Sequence, residues 1–248
     1  MRENPADFTL KLAIAAVFAA LVWVATMAFT VSVPATSGYF NIGETVIYVA
    51  AMLFGPFVGA FAGGVGAAFA DVLVAFPFAP GTLVIKGLEG AIVGFLNKKM
   101  LPKTSRSNWR TFTITLGVIV GILLAATGSV YYSGDVQLYL GIPQPTNPTL
   151  TIFIPVELWY FLGGIVALAI TFVGFKTEPE IGRAILSMIV GGLEMVAGYF
   201  LYEQLVLGKA TAIVEIPVNI GQMLIGLIVA IPVARILLRS LPQLKSQS

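Results

Sequence analysis

Between residues 8 and 29 the chain carries a single charge, Lys11, among apolar or small side chains, and stretches of similar character recur almost to its end. No other property restricts its folding as much. A bilayer core about 30 Å thick is crossed by about 20 residues of α-helix, and lipid offers unpaired backbone groups no partner, so each stretch must close its own hydrogen bonds as a helix. Read this way, spans lie at 8–29, 45–54, 56–74, 82–97, 111–131, 150–175, 181–202 and 213–238, the second being short and ending at Gly55-Pro56. The predicted fold is an all-α integral membrane protein with eight spans. With 58% hydrophobic and 10% charged residues and a mean hydropathy of +0.94, the 248 residues leave no room for a soluble catalytic domain.

The remaining charges report orientation. Arg2, Lys11, the basic group Lys98, Lys99, Lys103, Arg106 and Arg110, then Lys176, Arg183, Arg235, Arg239 and Lys245 share one side if both termini are cytoplasmic; Lys209 then lies outside and Lys86 within the membrane. Polar Glu3 to Asp7 leads into the first span without a small-residue cleavage site, so a removable signal peptide is not expected. A net charge of +2 spread over loops gives no footprint for nucleic acid. The chain has no cysteine and no histidine, which removes disulfides, thiolate chemistry and the commonest metal ligand and general base; neither a metal nor a cofactor is expected. It also lacks a Gly-rich Lys-Ser/Thr phosphate loop, so it has no means of its own to use ATP.

Residues 41–97 hold the densest signals. Gly55, Gly59 and Gly63 recur every fourth residue in a Gly/Ala-rich span, a spacing that lets helices approach closely in lipid. On a straight helix each such step advances by about 400°, which turns Asp71 about 160° from Gly55 and points it at a different neighbour or at the outer end of a cavity. Asp71, Lys86 and Glu89 lie in or beside apolar segments, where ionisable groups mark cavities or pathways. Lys86 and Glu89 are one turn apart, so a mutual ion pair is the structural reading and ligand contact the functional one. Asn41 followed by Glu44 reads as a capping box opening the second span. In the first span Ala15 with Ala19, and Ala16 with Ala20, make smooth faces suited either to internal packing or to docking another protein.

Asn41-Ile-Gly-Glu-Thr, Leu53-Phe-Gly-Pro-Phe-Val-Gly-Ala, Gly63-Gly-Val-Gly-Ala, Ala70-Asp71, Ile85-Lys-Gly-Leu-Glu-Gly and, near the C-terminus, Glu215-Ile-Pro-Val-Asn-Ile-Gly-Gln-Met-Leu-Ile-Gly resemble the substrate-binding (S) components of energy-coupling-factor (ECF) transporters, especially the branch with riboflavin and hydroxymethylpyrimidine transporters. The resemblance covers 8–98 and 183–238. It implies one membrane domain with a six-helix core in a prokaryotic cell membrane, and makes 111–175 an inserted transmembrane hairpin on its periphery. It implies no enzymatic activity but high-affinity capture of a small water-soluble vitamin or related heterocycle outside the cell. The partners it implies are membrane lipid, a transmembrane coupling protein and two cytosolic ATPases, with Ala15, Ala16, Ala19 and Ala20 docking onto the coupling protein.

The same resemblance places the pocket in the outer half of the core and makes Asn219 and Gln222 its leading ligand contacts. They are three apart on one helical face, and amides both donate and accept hydrogen bonds as a heterocycle requires; the competing reading is that they tie helices together. Lys86, Asp71 and Glu89 are further candidates. Tyr39, Phe40, Phe76 and Phe78 fall in the two loops expected to roof the pocket, where rings stack on a planar ligand or mark the membrane interface. Glu194, in mid-span, needs a partner or water in either role, and Glu157 belongs to the hairpin. The alternative function is a stand-alone secondary transporter in which Asp71, Lys86, Glu89 and Glu194 carry protons or ions. A membrane enzyme has little support without His, Cys or a paired Asp-x-x-Asp motif.

Overall fold

The computed structural model describes residues 5–33, 38–97, 106–140, 146–176, 179–206 and 208–240. Arg2, Lys98, Lys99, Lys103 and Lys245, counted above toward orientation, lie outside the described residues, as do both ends of the chain. The chain divides into two units, Met1–Met100 with Ala184–Ser248, and Leu101–Arg183.

In the first unit α1 (Pro5–Ala28) leads through antiparallel strands β1 (Thr30–Val33) and β2 (Gly38–Asn41), with Thr30 opposite Asn41, into α2 (Gly43–Phe54). The sequence reading left this connection irregular; its Thr, Val, Tyr and Phe side chains fit a pleated hairpin. At Gly55 φ is 89°, a left-handed backbone that only glycine adopts freely, and Pro56 opens α3 (Pro56–Phe61). Gly55 is thus the turn between two helices and at the same time part of the close packing: a methyl group on Gly94 would stand 2.5 Å from the Gly55 carbonyl carbon.

The ridge itself is real and faces α5 (Ala79–Phe95). A methyl group on Gly59 would stand 2.6 Å from the Gly90 carbonyl oxygen, and one on Gly64 would stand 2.6 Å from that of Leu83. After α3 the backbone widens into a π-helical turn, Ala62–Gly66, before α4 (Ala67–Val74). Such a turn carries one extra residue and sets everything after it back by about 100°. Asp71, which a straight helix turns away from the glycine face, is thereby brought round to α5. Of the two alternatives read from the sequence, a different neighbour or a cavity, Asp71 meets the second, and the π turn positions the site.

A short 3-10 turn, Phe76–Phe78, connects to α5, which starts ahead of residue 82 because Pro80 is tolerated in a first turn. The unit closes with most of α8 (Pro179–Val206) and with α9 (Lys209–Ser240), a helix that runs unbroken through Pro217 and Pro232. Helix α2 lies against α9, α5 and α1, which encloses it: nine of its twelve residues are buried. Ala15, Val22, Ile47, Ala50, Val58, Ala62 and Ala67 form one core cluster; Phe78, Ile85, Met195, Tyr199, Ile220 and Met223 form another.

The second unit is an antiparallel pair, α6 (Arg106–Tyr131) and α7 (Val156–Lys176), joined through strands β3 (Gly134–Leu140) and β4 (Leu150–Ile154). The expected span 150–175 therefore splits: Leu150–Ile154 forms a strand, and Pro155 ends it and precedes the helix. Its helices meet at a small-residue seam. A methyl on Gly121 would stand 2.5 Å from the Gly163 carbonyl oxygen and one on Gly117 would stand 2.6 Å from that of Ala167.

Among the described residues seven helical segments are long and apolar enough to cross a membrane, with the α3 to α4 run, Pro56–Val74, counting as one. The twelve-residue α2 is apolar but rises only about 18 Å. Val17, Leu21, Val24, Phe69, Leu73 and Leu201 are exposed, as side chains solvated by lipid are. The protein is an all-α integral membrane protein.

Candidate functional site

A cavity of about 40 Å³ opens inside the first unit, where β2, the start of α2, α4, the first turns of α5, the far end of α8 and the start of α9 converge. Helical repeats set its lining. Thr82 and Lys86 lie four residues apart on α5, one turn after Phe78 of the 3-10 turn, Tyr199 and Glu203 four apart on α8, and Glu215, Asn219 and Gln222 at steps of four and three on α9, so each helix offers one polar stripe.

Lys86 is 4% exposed and its Nζ donates to Glu44, which is 1% exposed; Glu89 Oε2 is 3.5 Å away on the other side. The expected pairing of Lys86 with Glu89 is thus present but secondary. Glu44, read from the sequence as half of a capping box, is instead the nearer counterion. Asn41 Oδ1 accepts from Gly43 N at 2.9 Å, while Ile42 occupies the cap position without a side-chain bond. Tyr48 donates to Glu89 Oε1 at 3.0 Å, so the buried carboxylate shares an ammonium and a phenol.

Asp71 accepts from Tyr39 and from Thr82, and Thr82 Oγ1 lies 2.7 Å from the Tyr199 hydroxyl. Burial first, and then the negative charge of Asp71, hold the Tyr39 phenol's pKa well above its ordinary value, so it stays a donor. On the opposite wall an amide chain runs from Asn41, whose Nδ2 donates to Gln222 Oε1 at 2.8 Å, to Gln222 Nε2, 3.4 Å from Asn219 Oδ1. Asn219 and Gln222 both line the cavity, and Gln222 at the same time ties α9 to the hairpin.

Of the other candidates Phe78 lines the cavity. Phe40 does not: its ring meets Phe29 edge-on at 6.3 Å and covers Gly221. Glu89 and Glu194 are not among its lining residues either, although Glu194 Oε2 is buried without a partner. Phe76 is exposed. On α1 the four alanines divide: Ala15 and Ala19 are buried, with the Ala19 backbone against Gly66, while Ala16 and Ala20 are exposed. Sequence reasoning did not single out Thr26, Thr82, Tyr199, Glu203 and Glu215, all of which line the cavity. Their signal was the recurrence of polar residues at helical spacing in otherwise apolar spans.

Such a site binds rather than transforms. Its groups are hydrogen-bond donors, acceptors and fixed charges, and among the described residues no three acidic groups assemble as a metal ligand set. Residues 8–165 match the family model described as "ECF-type riboflavin transporter, S component". The match runs from α1 through α6 into α7 and stops before α8. The chain is also 44% identical over 109 residues, 44% of its own length and 68% of the relative's, to a protein of Pyrococcus woesei described as "Uncharacterized protein in gap 3'region". With its membrane helices and its enclosed polar cavity, the chain belongs to the ECF-type riboflavin transporter S component family, whose members are vitamin-binding membrane components of transporters and not enzymes.

Proposed function

We propose that the first unit captures a small water-soluble vitamin or related heterocycle at the extracellular side and passes it inward in ATP-driven uptake, with an ECF coupling protein and two ATPases as partners. The cavity carries this reading, because it is polar, buried and walled by a single unit. The course of α5 supports the sidedness. From Lys86 to Asn97 that helix rises about 17 Å toward the basic stretch that the positive-inside rule assigns to the cytoplasm, which supports an outward-facing site.

A cavity of about 40 Å³ holds a few waters, against roughly 300–1,000 Å³ for ligand pockets, so binding must part its walls. The β1–β2 hairpin supplies the wall residues Gly38, Tyr39 and Asn41, and the side chains of Tyr39 and Asn41 are fastened to Asp71 and Gln222. Exchanging those bonds for bonds to a heterocycle opens the site and fills it in one step. The contact with the coupling protein falls to Ala16 and Ala20, the exposed pair on α1. Residues 111–175 take no part in the ligand site on this reading.

Mass spectrometry of small molecules retained through purification, followed by calorimetry of the dominant one, tests the proposal. Retention of a heterocycle with sub-micromolar affinity is the expected result; retention of lipid alone contradicts it.

A further inference from the structure

We propose that Glu203 selects the ligand of this cavity by taking a hydrogen bond from an N–H or O–H group of an uncharged heterocycle, and that the cavity turns away the phosphorylated form of the same molecule. The inference rests on the reading of the cavity as the ligand site and narrows what that site accepts. Glu203 lies one turn beyond Tyr199, near the end of α8, and lines the cavity at 1% exposure. Its Oε2 is buried with no hydrogen-bond partner. The other lining carboxylates are engaged: Asp71 accepts from Tyr39 and Thr82, Glu44 accepts from Lys86, and Glu215 has an interaction of its own.

The lining donors are committed in turn. Tyr39 and Thr82 serve Asp71, the Asn41 amide serves Gln222, the Gln222 amide serves Asn219, and the Lys86 ammonium is shared by Glu44 and Glu89. Among the described lining residues the buried polar side-chain atoms without a partner are Thr26 Oγ1, Glu44 Oε1 and Glu203 Oε2. The first is a hydroxyl, which can give or take; the other two are carboxyl oxygens, and of these two residues Glu44 already has Lys86 on its second oxygen. A buried acceptor without a donor is costly, and a ligand that brings the donor removes that cost. An uncharged flavin brings an imide N–H and several hydroxyls. If Glu203 carries a proton, the carbonyl beside that N–H accepts it, so the match to an uncharged polar edge holds in both states. A phosphate matches neither. It adds negative oxygens to a lining whose one cation among the described residues, Lys86, is already engaged, and an uncompensated buried anion is expensive.

The test uses matched probes. Riboflavin and flavin mononucleotide, its phosphate ester, share a ring and a side chain and differ in charge, and both are titrated at pH 7 into the full chain in phosphatidylcholine nanodiscs, followed by flavin fluorescence. Riboflavin should bind at least about tenfold tighter than the phosphate ester. Glu203→Leu keeps the volume and removes the acceptor, so it should weaken riboflavin binding about tenfold while the thermal stability of the unliganded protein holds or rises. Glu203→Gln retains an acceptor oxygen and should bind riboflavin nearly as the wild type does. A carboxyl with a merely structural role would show the opposite split, with stability lost and affinity kept in Glu203→Leu. Equal affinities for the two flavins, tighter binding of the phosphate ester, no binding of riboflavin, wild-type affinity in Glu203→Leu, or an equal loss in Glu203→Gln would each overturn the proposal, and the wild-type comparison needs no variant to fold. Uptake assays separate this inference from the broader function. ATP-driven import of riboflavin together with equal affinities for the two flavins keeps the transport reading and removes the selection by Glu203. A riboflavin preference that depends on Glu203, without any ATP-driven import, does the reverse.

Discussion

Asn219 ends the amide chain that begins at the backbone of Gly43 and passes through Asn41 and Gln222. Its removal deletes a hydrogen bond worth about 0.5–1.5 kcal/mol and strands a buried amide, so Asn219→Ala should weaken binding of the retained heterocycle by about tenfold. Calorimetry on folded protein separates this from a purely structural tie, which would lower thermal stability and leave affinity unchanged. Glu157→Gln, in the other unit, should not alter affinity. At Lys86 the stakes are larger, because Lys86→Met leaves Glu44 and Glu89 facing each other without a counterion. That should cost about 3–5 kcal/mol in unfolding experiments, and adding Glu44→Gln should recover part of it. Lys86, Asp71, Asn219 and Gln222 were legible because an ionisable or amide group in an apolar span stands out alone. Glu44 was visible but misassigned, since Asn41-x-x-Glu44 satisfies a local rule that the folded chain overrides with a partner 42 positions away. Thr82 and Tyr199 gave no such contrast, because hydroxyls are common in spans and only the converging helices show which ones meet.

The helices are held by backbone approach as much as by side chains. Gly59→Val would drive a side chain into the Gly90 carbonyl and should cost about 1–3 kcal/mol, whereas Gly164, whose added methyl meets nothing within 4 Å, should accept alanine without loss. Thermal unfolding of both variants in detergent checks the contrast. On α1 the burial pattern predicts two different outcomes from one substitution. Ala15→Leu, at a fully buried position, should destabilise the fold, while Ala20→Leu should leave stability and ligand affinity intact and impair ATP-driven uptake. Loss of ligand binding in a stable Ala20→Leu protein would remove α1 from the partner contact. Helix existence was readable from apolar length, but two features were not. The π turn at 62–66 depends on a shifted hydrogen-bond register that Ala, Gly and Val do not advertise, and it alone decides where Asp71 points. Strand β4 hid because an apolar run of β-branched residues next to a helix has the composition of a longer span.

On the scale of the whole molecule, the two units divide the work unequally: among the described residues, every one that lines the cavity comes from the unit of 1–100 and 184–248. A protein of this build holds its ligand but has no phosphate loop with which to spend ATP. On the proposed function its energy comes from partners, whereas a secondary transporter would draw it from an ion gradient through its buried carboxylates. Proteoliposomes decide between them, loaded with the heterocycle identified by mass spectrometry and assayed with and without the coupling protein, the ATPases and ATP. The account predicts accumulation only when all partners and ATP are present; accumulation by this chain alone, driven by a proton or sodium gradient, would contradict it.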